Sequence, residues 1–352
     1  MEAKLLVISA GTHRRLGEVL AYALAGIDHE TVTPAALPPA LAGRRVVFAV
    51  SAGAWGLEED FCRLVRRLRE SPDCMEGSSA VVLVDGEGEL YTKEAARMLV
   101  LAANQAGCAF PGKPLVEGTG SLHNLDVLSR RMGLPQAAVY RETARALVRR
   151  LQDFVPPRTA RPHVLLLHAS DHATSNTLAL GGRVRELLAG DCEFEELSLR
   201  NGAVHDCRGC SYKVCAHYAQ QNSCFYGGSI VDEVYPAMIR ADVLMLLCPN
   251  YNDSVGANIM AFINRLTSLQ LFHSLHDKYL YAIVVSGYSG SDLVAQQVLG
   301  ALCLNKAFLL PPRFCLLETA NDPGSALRAP GIGARLARFA ASIRAAAGPA
   351  DG

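Results

Sequence analysis

The chain has no charge bias, few aromatic residues and no long apolar run. Lys plus Arg and Asp plus Glu each number 34 in 352 residues, a formal net charge of zero. A nucleic-acid binder would carry a basic excess, so that class is excluded. No apolar stretch nears the roughly 20 residues that cross a bilayer, which argues against a membrane span. The opening Met1-Glu2-Ala3-Lys4 leads into an apolar run ending at Ala10. That run is too short and its flank too acidic for a secretory signal, so the expected compartment is the cytoplasm.

Hydrophobic residues are plentiful, at 50% against 19% charged. Two sizeable cores can be buried, global disorder is excluded, and the length favours two domains. Eleven cysteines are present, an odd number in a long chain and not the profile of a secreted disulfide scaffold. Cys207, Cys210, Cys215 and Cys224 are clustered, which in a reducing compartment suggests a metal or redox site. Cys62, Cys74, Cys108, Cys192, Cys248, Cys303 and Cys315 lie mostly in apolar runs and are expected to be small core residues.

Pro156, Pro157 and Pro162 stop a helical pattern and mark a linker. We therefore expect a first domain over 1–155, a linker over 156–162 and a second domain over 163–352. In the second half, short apolar runs at 163–169, 193–199, 243–249, 279–287 and 313–320 predict strands covered on both faces. Helical patterns fall between and after them, at 176–189, 229–240, 256–273, 292–306 and 333–347. The first half repeats the scheme, with strands expected at 4–10, 29–33, 44–50, 78–85 and 114–118. Alternation of this kind means two three-layer α/β/α domains, each on a parallel five-stranded sheet, wound as in flavodoxin.

The halves can be laid on each other. Lys4 aligns with His163, Val46 with Val243 and Val84 with Val285. Almost all the difference in spacing is an insertion, about 201–228, between strands two and three of the second half, and it holds the cysteine cluster. This suggests an internal duplication in which one copy carries the cysteine segment.

Three polar loops follow strands of the second half. The first, Ala169-Ser170-Asp171-His172-Ala173-Thr174-Ser175-Asn176-Thr177, opens a helix, where N–H groups and hydroxyls suit a phosphate. Ser170, Ser175, Asn176 and Thr177 are its candidate donors; plain helix capping is the alternative. It has no Gly-x-Gly-x-x-Gly and so is no dinucleotide fingerprint. The second, Cys248-Pro249-Asn250-Tyr251-Asn252-Asp253-Ser254, offers an aromatic flanked by amides for a planar heterocycle. The third, Ser286-Gly287-Tyr288-Ser289-Gly290, lets backbone approach a ligand closely. No residue stands out as an acid–base catalyst, as expected where a cofactor carries the chemistry.

Ser175-Asn176-Thr177, Pro249-x-Tyr251 and a helix ending Phe262-Ile263-Asn264-Arg265 together resemble the NADPH-dependent FMN reductase family, nearest its flavodoxin-like iron–sulfur flavoproteins. The resemblance covers about Pro162 to Asn321. It implies FMN with its phosphate in the first loop and its ring between the second and third. The ring would lie against Pro249, Asn250, Tyr251, Asn252, Ser286, Gly287 and Tyr288. It also implies NAD(P)H as hydride donor, and a small molecule or protein as electron acceptor. Two departures stand out: Ala169-Ser170 replaces the usual Gly-Ser, and Asn264 replaces an acid.

The cysteine spacing, Cys207-x2-Cys210-x4-Cys215-x8-Cys224, differs from the iron–sulfur flavoproteins, which place the third cysteine two residues after the second. Four thiolates on a flexible loop suit a 4Fe-4S cluster; zinc and redox thiols are the alternatives. The first half lacks the flavin motifs. Ser9-Ala10-Gly11-Thr12 and Ser51-Ala52-Gly53-Ala54-Trp55 stand where they would be, and Asp85-Gly86-Glu87-Gly88-Glu89 would repel a phosphate. We expect this copy to act as a built-in partner subunit, making a pseudo-dimer within one chain that can assemble further. Trp55, the only tryptophan, is expected in ring stacking, core or interface.

Overall fold

The computed structural model describes residues 4–11, 13–39, 41–170, 173–200 and 204–348. The chain divides into two compact units, Met1–Val155 and Pro156–Gly352. In the first unit the strands are β1 (Leu5–Ala10), β2 (His29–Val32), β3 (Arg45–Ala52), β4 (Ser79–Gly86) and β5 (Leu115–Gly118). They pair in the order β2-β1-β3-β4-β5, and every pairing is parallel. Helices α1 (Arg14–Ala23), α2 (Glu59–Glu70), α3 (Thr92–Gln105), α4 (Asp126–Met132) and α5 (Gln136–Gln152) belong to this unit. β3 and β4 are almost wholly buried, as their unbroken apolar runs require of strands sandwiched between helix layers.

The second unit repeats this plan with β6 (His163–His168), β7 (Glu193–Ser198), β8 (Val243–Pro249), β9 (Tyr279–Ser286) and β10 (Cys315–Thr319). Its order, β7-β6-β8-β9-β10, is again parallel throughout. Both sheets thus have the flavodoxin strand order. The helices are α6 (Asn176–Leu187), α7 (Tyr212–Ala219), α8 (Tyr235–Arg240), α9 (Ala257–Gln270), α10 (Ser291–Leu299) and α11 (Ile332–Ala347). Short π-helical turns sit directly before α8 and directly after α10. No helix among the described residues is long and apolar enough to cross a membrane.

All ten expected strands form, within two residues of their sequence bounds. Two expectations need correction. The cysteine segment is no plain loop, because α7 forms inside it, capped by the Ser211 hydroxyl accepting from the Val214 N–H. And Trp55 is no core residue of its unit: it is 86% exposed at the tip of a turn closed by Gly56 N–H to Gly53 carbonyl. Of the seven scattered cysteines, Cys108, Cys192, Cys248, Cys303 and Cys315 are buried as expected. Cys62 is exposed, on the solvent face of α2 whose inner face carries Phe61, Leu64, Val65 and Leu68.

The buried thiols make stability sensitive to alkali. Burial alone pushes Cys248 from an ordinary value of 9.0 up to about 12. Burial and the Asp191 charge raise Cys192 to about 11. The unfolded chain ionises these thiols first, so they contribute stability that is complete below pH 9 and is lost as pH rises toward 12. Each such group costs about 1.4 kcal/mol per pH unit in that window. We expect the urea midpoint to be level between pH 7 and 8.5 and to fall steadily above 9; a level midpoint at pH 10.5 would contradict this.

Candidate functional site

The carboxyl edge of the second sheet opens into a cleft of about 380 Å³. Open α/β sheets bind ligands at this edge, where the strand order reverses. Here the reversal lies between β6 and β8, and the loops after both strands line the cleft.

The loop after β6 supplies Ala169, Ser170, Thr174, Ser175, Asn176 and Thr177. Ser170 is 6% exposed, and its Oγ is buried without a hydrogen-bond partner. An orphaned hydroxyl costs stability, so its place on the wall of a cleft points to a ligand that completes it. Ser175 is the N-cap of α6: its Oγ accepts from the Leu178 N–H at 3.2 Å and bonds the Thr177 hydroxyl at 2.8 Å. Asn176 is committed elsewhere, its Nδ2 donating to the Asp322 carbonyl at 2.9 Å and its Oδ1 accepting from the Ala326 N–H at 3.3 Å. The best-placed free hydroxyl is therefore Ser170, not the Ser175-Asn176 pair. Asp171, His172 and residues 201–203, where the cysteine insertion was expected to begin, lie outside the described residues.

The loop after β8 is a two-residue hairpin. Tyr251 and Ser254 exchange backbone hydrogen bonds at 3.1 Å, and Asn252 and Asp253 between them have φ of 51° and 58°. Two left-handed residues in a row suit Asn and Asp, and the turn holds Tyr251 out at the cleft. Asn250 stitches this loop to the next, its Nδ2 donating to the Ser286 Oγ at 3.0 Å and the Ser289 carbonyl at 3.1 Å. The Asn250 Oδ1 stays buried without a partner. Gly290, at φ +88°, has to be glycine, because a Cβ there would sit 1.9 Å from the Asp253 carboxylate.

Of the expected flavin residues, Ser170, Ser175, Asn176, Thr177, Pro249, Asn250, Tyr251 and Gly287 line the cleft. Ser286 is fully buried beneath it and positions Asn250, while Asn252 and the 85% exposed Tyr288 do not line it. The structure adds Arg200 after β7, Val285, and Ala320 and Asn321 after β10. No motif marked them, because Arg200, Ala320 and Asn321 follow the edge strands, whose loops carry no run of polar residues, and Val285 lies within β9. Among the described residues the lining contains a guanidinium, hydroxyls and the first turn of a helix, and no carboxylate. That donor set fits a phosphate, and the unpaired Asn250 carbonyl oxygen fits an N–H of a planar ring.

Residues 162–322 match the NADPH-dependent FMN reductase family. The matched stretch lies within the second unit. Among solved structures, RosB with a bound intermediate, 8-demethyl-8-formylriboflavin-5'-phosphate, is 14% identical with a TM-score of 0.42, covering 51% of this chain and 76% of its own. An NAD(P)H:quinone oxidoreductase from Methanothermobacter marburgensis is 17% identical with a TM-score of 0.41, covering 52% and 96%. The apo form of an NADH:FMN oxidoreductase is 14% identical with a TM-score of 0.36, covering 52% and 88%. Likenesses of this size concern the fold alone. No curated protein matches the chain.

The cysteine segment of the second unit was expected to be a metal centre. Among the described residues, no group of three or more His, Cys, Asp or Glu side chains is gathered to hold a metal ion. Cys207 precedes α7 and is exposed, Cys215 lies within the helix, and Cys224 follows it. The Cys210 thiol lies 3.8 Å from the Tyr226 hydroxyl. The thiols are neighbours nevertheless. Burial first, and then Cys224, Cys210 and Cys207, hold the Cys215 thiol above its ordinary range. Four neighbouring thiols spread over the approach to α7, the helix and the turn after it can also act as redox thiols.

A second cleft, of about 400 Å³, opens at the carboxyl edge of the first sheet. Glu58, Glu59, Asp60, Asp85 and Glu87 line it. Asp85 is wholly buried and is held by the His13 ring and by Arg15, whose Nε lies 2.8 Å from its Oδ2. Arg15 also donates to the carbonyls of Gly86, Thr119 and Gly120, so this carboxylate anchors the loops after β4 and β5. The carboxylates outnumber the His13 and Arg14 side chains on the same wall and oppose a phosphate.

Proposed function

We propose that the second unit binds FMN in the cleft at its carboxyl edge and that the chain is an FMN-dependent NAD(P)H oxidoreductase. The observation that carries this is the buried Ser170 hydroxyl, without a partner among the described residues, on a cleft wall built by a helix N-terminus. Bound FMN supplies reversible hydride and electron transfer between NAD(P)H and an acceptor. Ser170, Thr174, the first turn of α6 and Arg200 hold the phosphate. Pro249, Asn250, Tyr251 and Gly287 set the ring against the sheet edge. Tyr251 is 57% exposed at the open side, where a second planar ring can stack. The first unit, with its acidic cleft, holds no flavin in this reading. The electron acceptor is a small molecule or a protein.

The test is a flavin titration with turnover. Full-length protein should bind one FMN per chain and give a flavin spectrum. It should then oxidise NADPH or NADH in the presence of a quinone at a rate that depends on FMN. Two FMN per chain would assign a site to the first unit. No binding, or NAD(P)H oxidation indifferent to FMN, would overturn the proposal.

A further inference from the structure

His168 closes an otherwise aliphatic strand, Val164-Leu165-Leu166-Leu167-His168, and is 1% exposed. Burying an imidazole costs free energy that another leucine would not, unless the ring makes bonds that matter. Its Nδ1 accepts a hydrogen bond from the Ser170 backbone N–H at 3.2 Å. A neutral imidazole accepting at Nδ1 carries its proton on Nε2, and Nε2 faces the Glu196 carboxylate of β7 at 3.4 Å. Arg185 of α6 approaches the same carboxylate at 3.6 Å. The ring is thus held by a hydrogen bond at Nδ1 and faces a carboxylate at Nε2 without bonding it. Its own carbonyl accepts from the Leu199 N–H at 2.7 Å, tying the end of β6 to the chain that leads into Arg200.

We propose that His168 is a positioning residue for the flavin phosphate. By holding the Ser170 backbone it fixes the otherwise partnerless Ser170 hydroxyl on the cleft wall, and so it selects phosphorylated flavin over riboflavin. This rests on the reading of the cleft as an FMN site. The chain leaves the strand through Ala169, which has no glycine-like freedom. A bond two residues across that turn sets the direction of the Ser170 side chain. His168 touches no ligand itself; it acts through Ser170.

The experiment compares dissociation constants of FMN and riboflavin by flavin-fluorescence quenching, on full-length wild type, His168→Leu and His168→Asn. Asparagine is chosen because its Oδ1 takes the place of the imidazole Nδ1 as acceptor. His168→Leu should weaken FMN at least tenfold and leave riboflavin within twofold. His168→Asn should recover most of the FMN affinity. A merely structural histidine would move both flavins together, and that result would overturn the proposal, as would unchanged FMN binding in His168→Leu. If His168→Leu does not fold, His168→Gln replaces it. Its longer side chain presents the amide toward Glu196 and not Ser170, and the same loss of selectivity is expected. Should wild type bind riboflavin as tightly as FMN, the phosphate reading of the cleft fails instead, which the wild-type measurement alone reveals.

Discussion

Replacing Ser170 by Asp should lower FMN affinity at least a hundredfold while leaving the fold intact. The side chain is 94% buried by its 6% exposure, lies on the cleft wall, and sits at the N-terminal approach to α6. A carboxylate there faces the flavin phosphate as a like charge in a poorly hydrated corner, where repulsion is weakly screened. Ser170→Ala removes only the donor. A hydrogen bond to a charged group is worth about 1.5–3 kcal/mol, so that loss should be at least tenfold. Asn176→Ala should behave differently. It unpairs the Asp322 carbonyl and the Ala326 N–H, so the expected effect is about 1–3 kcal/mol of stability with little change in flavin affinity. Fluorescence titration alongside urea unfolding separates the two. FMN retained at wild-type affinity by Ser170→Asp would place the phosphate elsewhere.

The contrast between Ser170 and Asn176 shows what the sequence discloses and what it hides. The central strands were legible because parallel strands covered on both faces must be continuously apolar, whereas the polar, mostly exposed or half-buried edge strands β2 and β7 followed from the alternating order of elements. The cleft was legible as three polar loops at one edge. Which polar side chain is free was not. Ser175 and Asn176 look like donors in sequence, yet one caps α6 and the other fastens the segment after β10. Ser286 looked like a ring contact and instead lies under Asn250. Such commitments depend on partners up to 150 residues away, as with Ala326 and Asn176, and no local pattern encodes them. The cysteines are hard to read for a related reason. Their spacing describes reach along the chain, whereas a ligand set needs thiols converging on one point, and spacing alone does not encode that.

Replacing Arg265 by Met should release the cysteine segment. Arg265 is 2% exposed, the largest of the fully buried side chains. Its Nη1 donates to the His205 carbonyl at 3.2 Å and its Nη2 to the Gly227 carbonyl at 2.8 Å. Those two carbonyls bracket all four clustered cysteines, so a single guanidinium clamps both ends of the segment. Asn264 adds a hydrogen bond to the Asp206 carboxylate at 2.9 Å, which explains an amide where an acid would repel. The Tyr235 hydroxyl in turn donates to the Arg265 carbonyl at 2.6 Å, and burial raises that phenol to about 12. Methionine keeps the volume of the stem but leaves both carbonyls without a charged donor, a loss of about 2 kcal/mol or more. Freed from burial and from its neighbouring thiols, Cys215 should ionise more readily near pH 8, because burial is the largest cause holding its thiol up. The expected result is at least a tenfold faster reaction of Cys207, Cys210, Cys215 and Cys224 with a thiol reagent, read by mass spectrometry. The rates at buried Cys248 and Cys303 should not change, because the sheet core is untouched. Equal labelling in wild type and Arg265→Met would mean that the segment is held by α7 packing on α9, and that the guanidinium contributes nothing to its closure.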